Sequence, residues 1–201
     1  MATIDVLPDD VLLAIFEFYV VRYQDLNPLE AMFDNQDTRT KIQSWQSLVH
    51  VCRRWRGLVF ASPRHLNLQL HYIPRRSATK TLDIWPALPL LIQGSVSETS
   101  LDDVIAEIEQ SDRICQINLD FYTTSQIERL WTVMQVPFPE LAGLYLSFGT
   151  WPYGSVYGPV IPDLFLGGSA TRLRFLALNS VPFPGLPKLS LDCHPPRPSF
   201  A

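Results

Sequence analysis

Pairs of leucine or isoleucine separated by one residue recur after residue 66, and they constrain the fold more than any other feature of the chain. Apolar residues at alternate positions are typical of short strands with one buried face. Pairs that begin at residues 68, 90, 117, 144, 176 and 189 are 22, 27, 27, 32 and 13 residues apart. The first three intervals lie in the range of a repeating unit of one strand and one connecting element, and the last is too short for a whole unit.

Helix signals stand between the predicted strands. Ser100 with Asp103 predicts a capped helix that ends near Asp112. Ser125 with Glu128 has the spacing of a capping box and opens a second helix. A strand-and-helix unit of this kind cannot bury its apolar side alone, so the units are expected to stack.

The N-terminal part reads differently, as two amphipathic helices. The first begins at Pro8, because proline suits the first turn of a helix, and its apolar residues recur at helical spacing. A polar connecting segment covers residues 24–43. The second helix is predicted from Ser44 to Ser62, with a stripe formed by Trp45, Leu48, Val49, Cys52, Trp55 and Val59.

These two helices carry motifs that resemble the F-box. The sequence contains Leu-Pro-Asp-Asp-Val-Leu-Leu-Ala-Ile-Phe from Leu7 and Leu-Val-His-Val-Cys-Arg-Arg-Trp from Leu48. F-box helices bind a Skp-family adaptor, which links them to a cullin scaffold carrying a RING subunit, and the resemblance implies the same partner here. The connection at residues 24–43 is longer than in most of the family. Its sequence therefore does not show where the usual middle helix of an F-box lies. The positions that match the adaptor-facing pattern are Leu7, Pro8, Leu12, Ile15, Phe16, Leu48, Val51, Cys52 and Trp55.

The remainder of the chain resembles the irregular leucine-rich repeats that often follow an F-box in fungal proteins. The expected fold class is therefore α+β, with a small all-α F-box domain followed by a short α/β leucine-rich-repeat-like solenoid fragment. The expected boundaries are 1–66 for the F-box domain, 67–192 for the repeats and 193–201 for a disordered proline-rich tail.

An aromatic, glycine-punctuated loop follows the fourth predicted strand. Phe148, Trp151, Tyr153 and Tyr157 lie in or beside this loop, which runs from Gly149 to Gly158. Aromatic loops on a rigid scaffold often recognise partners, so these four residues form a candidate partner-binding surface. The alternative is that the rings pack over the end of the repeat array.

Catalytic chemistry is not indicated. The sequence has no phosphate-binding glycine loop, no Cys-x-x-Cys and no His-x-x-x-His, so neither a metal nor a cofactor is predicted. Three widely separated cysteines form no disulfide framework, which suits a reducing compartment. The adjacent pair Cys193 and His194 lies in the tail with no orienting third group. The chain is expected to be non-catalytic.

The resemblance implies a substrate receptor of an SCF-type cullin-RING ubiquitin ligase, in the cytoplasm or nucleus, with a protein substrate held on the repeats. One alternative is a leucine-rich-repeat scaffold with no ligase attached. Another is nucleic-acid binding through His50–Lys80, which holds seven basic residues and no acidic one. Residues 1–80 carry a net charge of +2 and residues 81–201 a net charge of −6, so basic character is confined to the N-terminal part. No membrane segment is expected.

Overall fold

The protein is a mixed α and β chain, seen in a computed structural model that describes residues 6–20, 44–74, 85–149 and 159–182. The helices are α1 (Asp9–Tyr19), α2 (Ser44–Val49), α3 (Arg53–Ala61), α4 (Leu101–Ile108) and α5 (Thr124–Val133). The strands are β1 (Leu70–Tyr72), β2 (Leu90–Ser95), β3 (Ile114–Phe121), β4 (Gly143–Phe148) and β5 (Phe175–Asn179), and a short 3-10 segment spans Phe165–Gly168. Of the helices in these ranges, none has the length and apolar character needed to cross a membrane.

The chain divides into two compact units. The first comprises Met1–His71 with Ile84–Pro89, and the second comprises Tyr72–Asp83 with Leu90–Ala201. The boundary falls inside β1.

The helical part of the first unit has a break that the sequence pattern did not reveal. The single helix predicted from Ser44 is two helices, because Cys52 is extended at φ −157° and ψ 171° and separates α2 from α3. The Arg56 side chain donates through Nε to the carbonyl of Val49 at 2.9 Å. This bond satisfies a carbonyl that the end of α2 leaves without a helical partner.

The core of the first unit is rich in aromatic rings. The rings of Trp45 and Trp85 are 5.2 Å apart, and Phe60 lies edge-on to both. Trp45 also donates from Nε1 to the carbonyl of Gln69 at 3.2 Å, so its buried indole nitrogen is satisfied.

The five strands form one sheet in chain order, from β1 to β5. The pairs β2–β3, β3–β4 and β4–β5 are parallel. The strands predicted near residues 90, 117, 144 and 176 are confirmed. The strand predicted over 66–70 begins only at Leu70, because Asn67 has a left-handed backbone, and the pair at Leu189 lies outside the described residues.

Helices α4 and α5 cover the same face of the sheet. Arg129 of α5 pairs with Asp102 of α4 at 2.5 Å, so the two helices are neighbours, and α5 packs on β3. Trp131 of α5 meets Phe165 of the 3-10 segment edge-on, with the ring centroids 5.3 Å apart. α4, α5 and the 3-10 segment, which follow β2, β3 and β4, are therefore arranged side by side in chain order.

Alternate strand positions separate a core face, which packs on the helices, from an opposite, open face, whose side chains are mostly part-buried and include the buried Asn118 and Ser147. On the core side, Ile92, Ile117, Leu144 and Leu176 stand at the same register. One residue further along, Gln93, Asn118, Tyr145 and Ala177 form a row on the opposite face, which is turned away from α4 and α5. The core of the second unit lies between the sheet and its helices.

Both capping predictions need correction. α5 begins two residues earlier than expected, with Thr123 and Gln126 forming its capping box. The hydroxyl of Ser100 bonds to Ser97 and does not cap α4, which ends at Ile108 well before Asp112.

The acidic side chains in and beside α4 are only partly solvated. Asp102, Asp103 and Glu109 are exposed, but Glu107 is buried and accepts a bond from Gln110 at 2.8 Å.

Candidate docking surface

α1 carries two apolar stripes, and only one of them is covered. Leu12, Phe16 and Val20 are buried, and the ring of Phe16 lies 4.7 Å from that of Trp55 in α3. This stripe holds the first unit together by burying apolar surface between α1 and the other helices.

The second stripe of α1 is exposed to solvent. Val11, Ile15 and Phe18 follow one another at spacings of four and three residues, so they share one side of the helix. Their side chains are 40%, 43% and 93% exposed. Pro8, three residues before Val11, continues the same line and is also exposed. A row of large apolar side chains in water is the kind of surface that another protein covers.

An arginine fixes the start of α1 against α3. The Arg54 guanidinium donates to Oδ1 of Asp9 through Nη2 at 2.5 Å and through Nε at 3.1 Å. It also donates to the carbonyl of Leu7 at 2.5 Å. Asp9 in the first turn of α1 is therefore paired with Arg54 of α3, and this pairing orients the exposed stripe.

The arginines of α3 lie at the start of that helix. Arg53, Arg54 and Arg56 stand in its first turn because α3 begins at Arg53. Cations there oppose the helix dipole. Two of them gain specific acceptors in exchange, namely Arg54 with Asp9 and Arg56 with the carbonyl of Val49.

The nine adaptor-facing positions suggested by the sequence fall into three groups. Leu12, Phe16 and Leu48 are buried inside the unit, whereas Leu7, Cys52 and Trp55 are part-buried. Pro8, Ile15 and Val51 are exposed, with Val51 at 58%. Only the last group offers substantial side-chain surface to a partner.

Two residues of the exposed stripe were absent from those nine positions. Phe18 and Val11 belong to the exposed stripe, and the helical spacing from Ile15 is the sequence signal that could have identified them. The sequence of α1 does not show which side of this helix α2 and α3 cover.

The candidate aromatic surface after β4 is mostly outside the described residues. Trp151, Tyr153 and Tyr157 lie in that part of the chain. Phe148 is a buried core residue, 5% exposed, because it shares the face of Leu144 and Leu146 in the alternation of β4. Its ring therefore contributes to the core rather than to a partner-binding surface.

Other residues singled out in the sequence do not assemble into a reactive centre. His50 lies edge-on to Trp85, with ring centroids 6.1 Å apart, and Cys193 and His194 lie outside the described residues. Burial raises the pKa of the Cys115 thiol to about 11, and that thiol donates to the carbonyl of Leu90. Within the described ranges, no three His, Cys, Asp or Glu side chains gather closely enough to hold a metal ion.

Of the basic residues in His50–Lys80, the described ones are Arg53, Arg54, Arg56 and Arg64. Two of the four are committed to the bonds within the first unit described above. The ion pair with Asp9 offsets the charge of Arg54, so the net positive charge that the described arginines offer to nucleic acid is smaller than their number indicates.

Comparisons with protein-family models, with curated proteins and with solved structures found no match to the chain.

Proposed function

We propose that this protein is a non-catalytic adaptor of an SCF-type ubiquitin ligase, which docks a Skp-family adaptor through its N-terminal helices and presents a protein substrate on its strand-and-helix units. The observation that carries the proposal is the exposed stripe of Pro8, Val11, Ile15 and Phe18 on α1. It coincides with the segment whose sequence resembles an F-box.

The apolar stripe supports docking on energetic grounds. Covering Phe18, which is 93% exposed, contributes about 1.5–3 kcal/mol of association free energy, and covering Ile15, which is 43% exposed, contributes less. Several such side chains on one helix face contribute together towards offsetting the loss of free motion on binding. The Arg54–Asp9 pair supports the proposal further, because it fixes α1 before any partner arrives.

The second unit supports the substrate-presenting half of the proposal. Parallel strands paired in chain order, with the connections side by side on one face, are the arrangement expected of stacked repeats. Such arrays leave an extended open face for a partner. The chain would contribute proximity rather than chemistry, by holding substrate near an enzyme that other subunits recruit.

The test is co-expression of the full chain with a Skp-family adaptor, followed by size-exclusion chromatography. The wild-type chain should co-migrate with the adaptor in a stoichiometric complex. Ile15→Asp should weaken the complex by about 10- to 100-fold, since it removes one apolar contact and buries a charge. Val160→Asp is a matched control, because Val160 is also a large exposed apolar residue, at 62%, but lies in the second unit.

Exposed positions are better probes than the buried ones suggested by the sequence. Leu12→Asp would place a charge at a site with no solvent exposure, and Trp55→Ala would remove the ring beside Phe16. Both changes should destabilise the first unit, so loss of adaptor binding would not separate docking from folding. Removing residues 1–66 would not separate docking from folding either, because it would take away Trp45, against which Trp85 packs.

Separate migration of wild-type chain and adaptor would overturn the proposal and favour the scaffold alternative, in which the second unit binds a partner without a ligase. An Ile15→Asp variant that co-migrates as well as Val160→Asp does would overturn the exposed stripe of α1 as the docking surface.

A further inference from the structure

A row of polar side chains crosses the open face of the sheet. The strand register sets Ser95 of β2 beside Asp120 of β3, Asp120 beside Ser147 of β4, and Ser147 beside Asn179 of β5. All four positions alternate with core residues such as Leu119 and Leu146, so they point away from the helices. The row is not a feature of any local motif, because its members come from four separate strands.

Hydrogen bonds within the row run towards the carboxylate. Asn179 donates through Nδ2 to Oγ of Ser147 at 3.4 Å, and Ser147 in turn bonds to the side chain of Asp120. At the other end, the hydroxyl of Tyr122 donates to Oγ of Ser95 at 3.2 Å. Asp120 is therefore the only charged member of an otherwise neutral polar row.

The carboxylate of Asp120 is partly buried, and no described side chain supplies it with a counter-ion. Burial raises the pKa of Asp120, and the bond from Ser147 offsets only part of this effect. No Lys, Arg or His among the described residues forms an ion pair with it. A half-buried carboxylate is stabilised by a cation that replaces its lost hydration, so the row is electrostatically incomplete by itself.

Two further properties of this face favour a basic side chain from another protein. Tyr145 lies on the same face, one row nearer the amino ends of the strands, and its part-buried ring can pack against the aliphatic stem of a lysine or arginine. Residues 85–149 and 159–182 contain ten Asp or Glu and four Arg, a net charge of −6. A cationic segment would therefore be attracted to this part of the chain.

We propose that the open face of β2–β5 binds a basic segment of a partner protein, with a lysine or arginine of that segment paired to Asp120 and flanked by Ser95, Ser147 and Asn179. The inference rests on the proposed function, because it names the chemical class of substrate that an adaptor of this kind would present.

The test is fluorescence anisotropy of the full chain with three labelled peptides of ten residues, in which serine alternates with lysine, norleucine or glutamate. The lysine peptide should bind, and its affinity should fall as salt is raised from low to physiological ionic strength. Asp120→Asn should weaken that binding by about tenfold, the effect expected when a hydrogen bond to a charged group is lost.

The matched control is Asp112→Asn. Asp112 is exposed in the turn before β3, and its replacement changes the net charge by the same amount without touching the row. Equal loss of affinity in both variants would overturn the inference, because binding would then depend on net charge alone. Failure of the lysine peptide to bind, or equal binding of the norleucine peptide, would also overturn it. These peptide comparisons use the wild-type chain, so they decide the question even if Asp120→Asn folds poorly.

Adaptor binding is measured on the same preparations, so the two proposals fail separately. Loss of peptide selectivity with the adaptor complex intact rejects the basic-segment inference alone. Peptide selectivity without adaptor binding rejects the ligase proposal and leaves a scaffold that recognises basic segments.

Discussion

Two neighbouring residues after β4, Leu166 and Gly167, adopt left-handed backbone conformations, with φ of 55° and 66°. For leucine this conformation costs about 1–2 kcal/mol. Leu166 is fully buried, and its amide donates to the carbonyl of Met134 at 2.7 Å. The burial of this side chain and the hydrogen bond of its amide offset the cost of the strained conformation beside the end of α5.

Gly167 and the adjacent Gly168 form a natural comparison at the residue scale. A Cβ added to Gly167 would lie 2.7 Å from the backbone nitrogen of Pro137, whereas one added to Gly168 would meet nothing within 4 Å. Both have positive φ, at 66° and 73°. Gly168→Ala should therefore cost about 1–2 kcal/mol of folding free energy, and Gly167→Ala about 2–5 kcal/mol because a clash is added. Urea denaturation measures both, and equal losses would contradict the close approach to Pro137.

At the scale of single elements, α5 depends on a cap made by its own first residues. The amide of Gln126 donates to Oγ1 of Thr123 at 3.4 Å, and Oε1 of Gln126 accepts from the amide of Thr123 at 3.2 Å. Thr123→Ala should lower the free energy of unfolding by about 1 kcal/mol. Thr124→Ala, one residue later and exposed, should change it by less than about 0.5 kcal/mol. The difference between the two urea midpoints checks the cap, and similar midpoints would argue against it.

Periodicity in the sequence was enough to predict most elements but not their exact limits. The stretch from Pro8 to Tyr19 and the strands near residues 90, 117 and 144 follow directly from apolar spacing, because each buries one face. Two capping boxes overlap in the sequence at the start of α5. Ser125 with Glu128 predicts the cap, but Thr123, whose hydroxyl lies two residues earlier, forms it with Gln126. The break at Cys52 was missed because the same apolar stripe continues through α2 and α3.

The candidate surfaces were less predictable, for a physical reason. Whether Ile15 or Phe16 faces solvent depends on which side of α1 the other helices cover, and periodicity within α1 does not contain that information. The row from Ser95 to Asn179 depends on inter-strand register, which joins residues far apart in the chain. Polar residues at alternate strand positions indicate an exposed face, but their alignment is a property of the folded sheet.

At the scale of the whole molecule, one part-buried histidine should contribute to a pH effect on stability. Burial lowers the pKa of His71 to about 3 from its usual value of 6.5. Between these values the unfolded chain binds a proton that the folded chain does not, so stability is complete above pH 6.5 and is lost as the pH falls towards 3. Burial of Asp120 has the opposite effect on stability. Its raised pKa favours the protonated carboxyl in the folded chain, so its contribution to stability grows as the pH falls.

His71→Gln should therefore flatten the acid side of the stability profile. The wild-type chain should lose up to about 1.4 kcal/mol of unfolding free energy per pH unit below 6.5 through this residue. The comparison is made by urea denaturation of both proteins from pH 7 to pH 4.5, since other groups then contribute equally to each. Parallel profiles would show that His71 is accessible to protons in the folded state.

Pairing in chain order gives the sheet a simple folding geometry. Ile92, Ile117, Leu144 and Leu176 share one register, so the loops between successive pairs close over 25, 27 and 32 residues. Because closure entropy grows only with the logarithm of loop length, these closures differ by about 0.2 kcal/mol. Each neighbouring pair is thus an equally good nucleus, and structure can spread from it in either direction. A strand-and-helix unit gained or lost by mutation would leave every remaining strand with a sequence neighbour to pair with, so the array can change length without changing its plan.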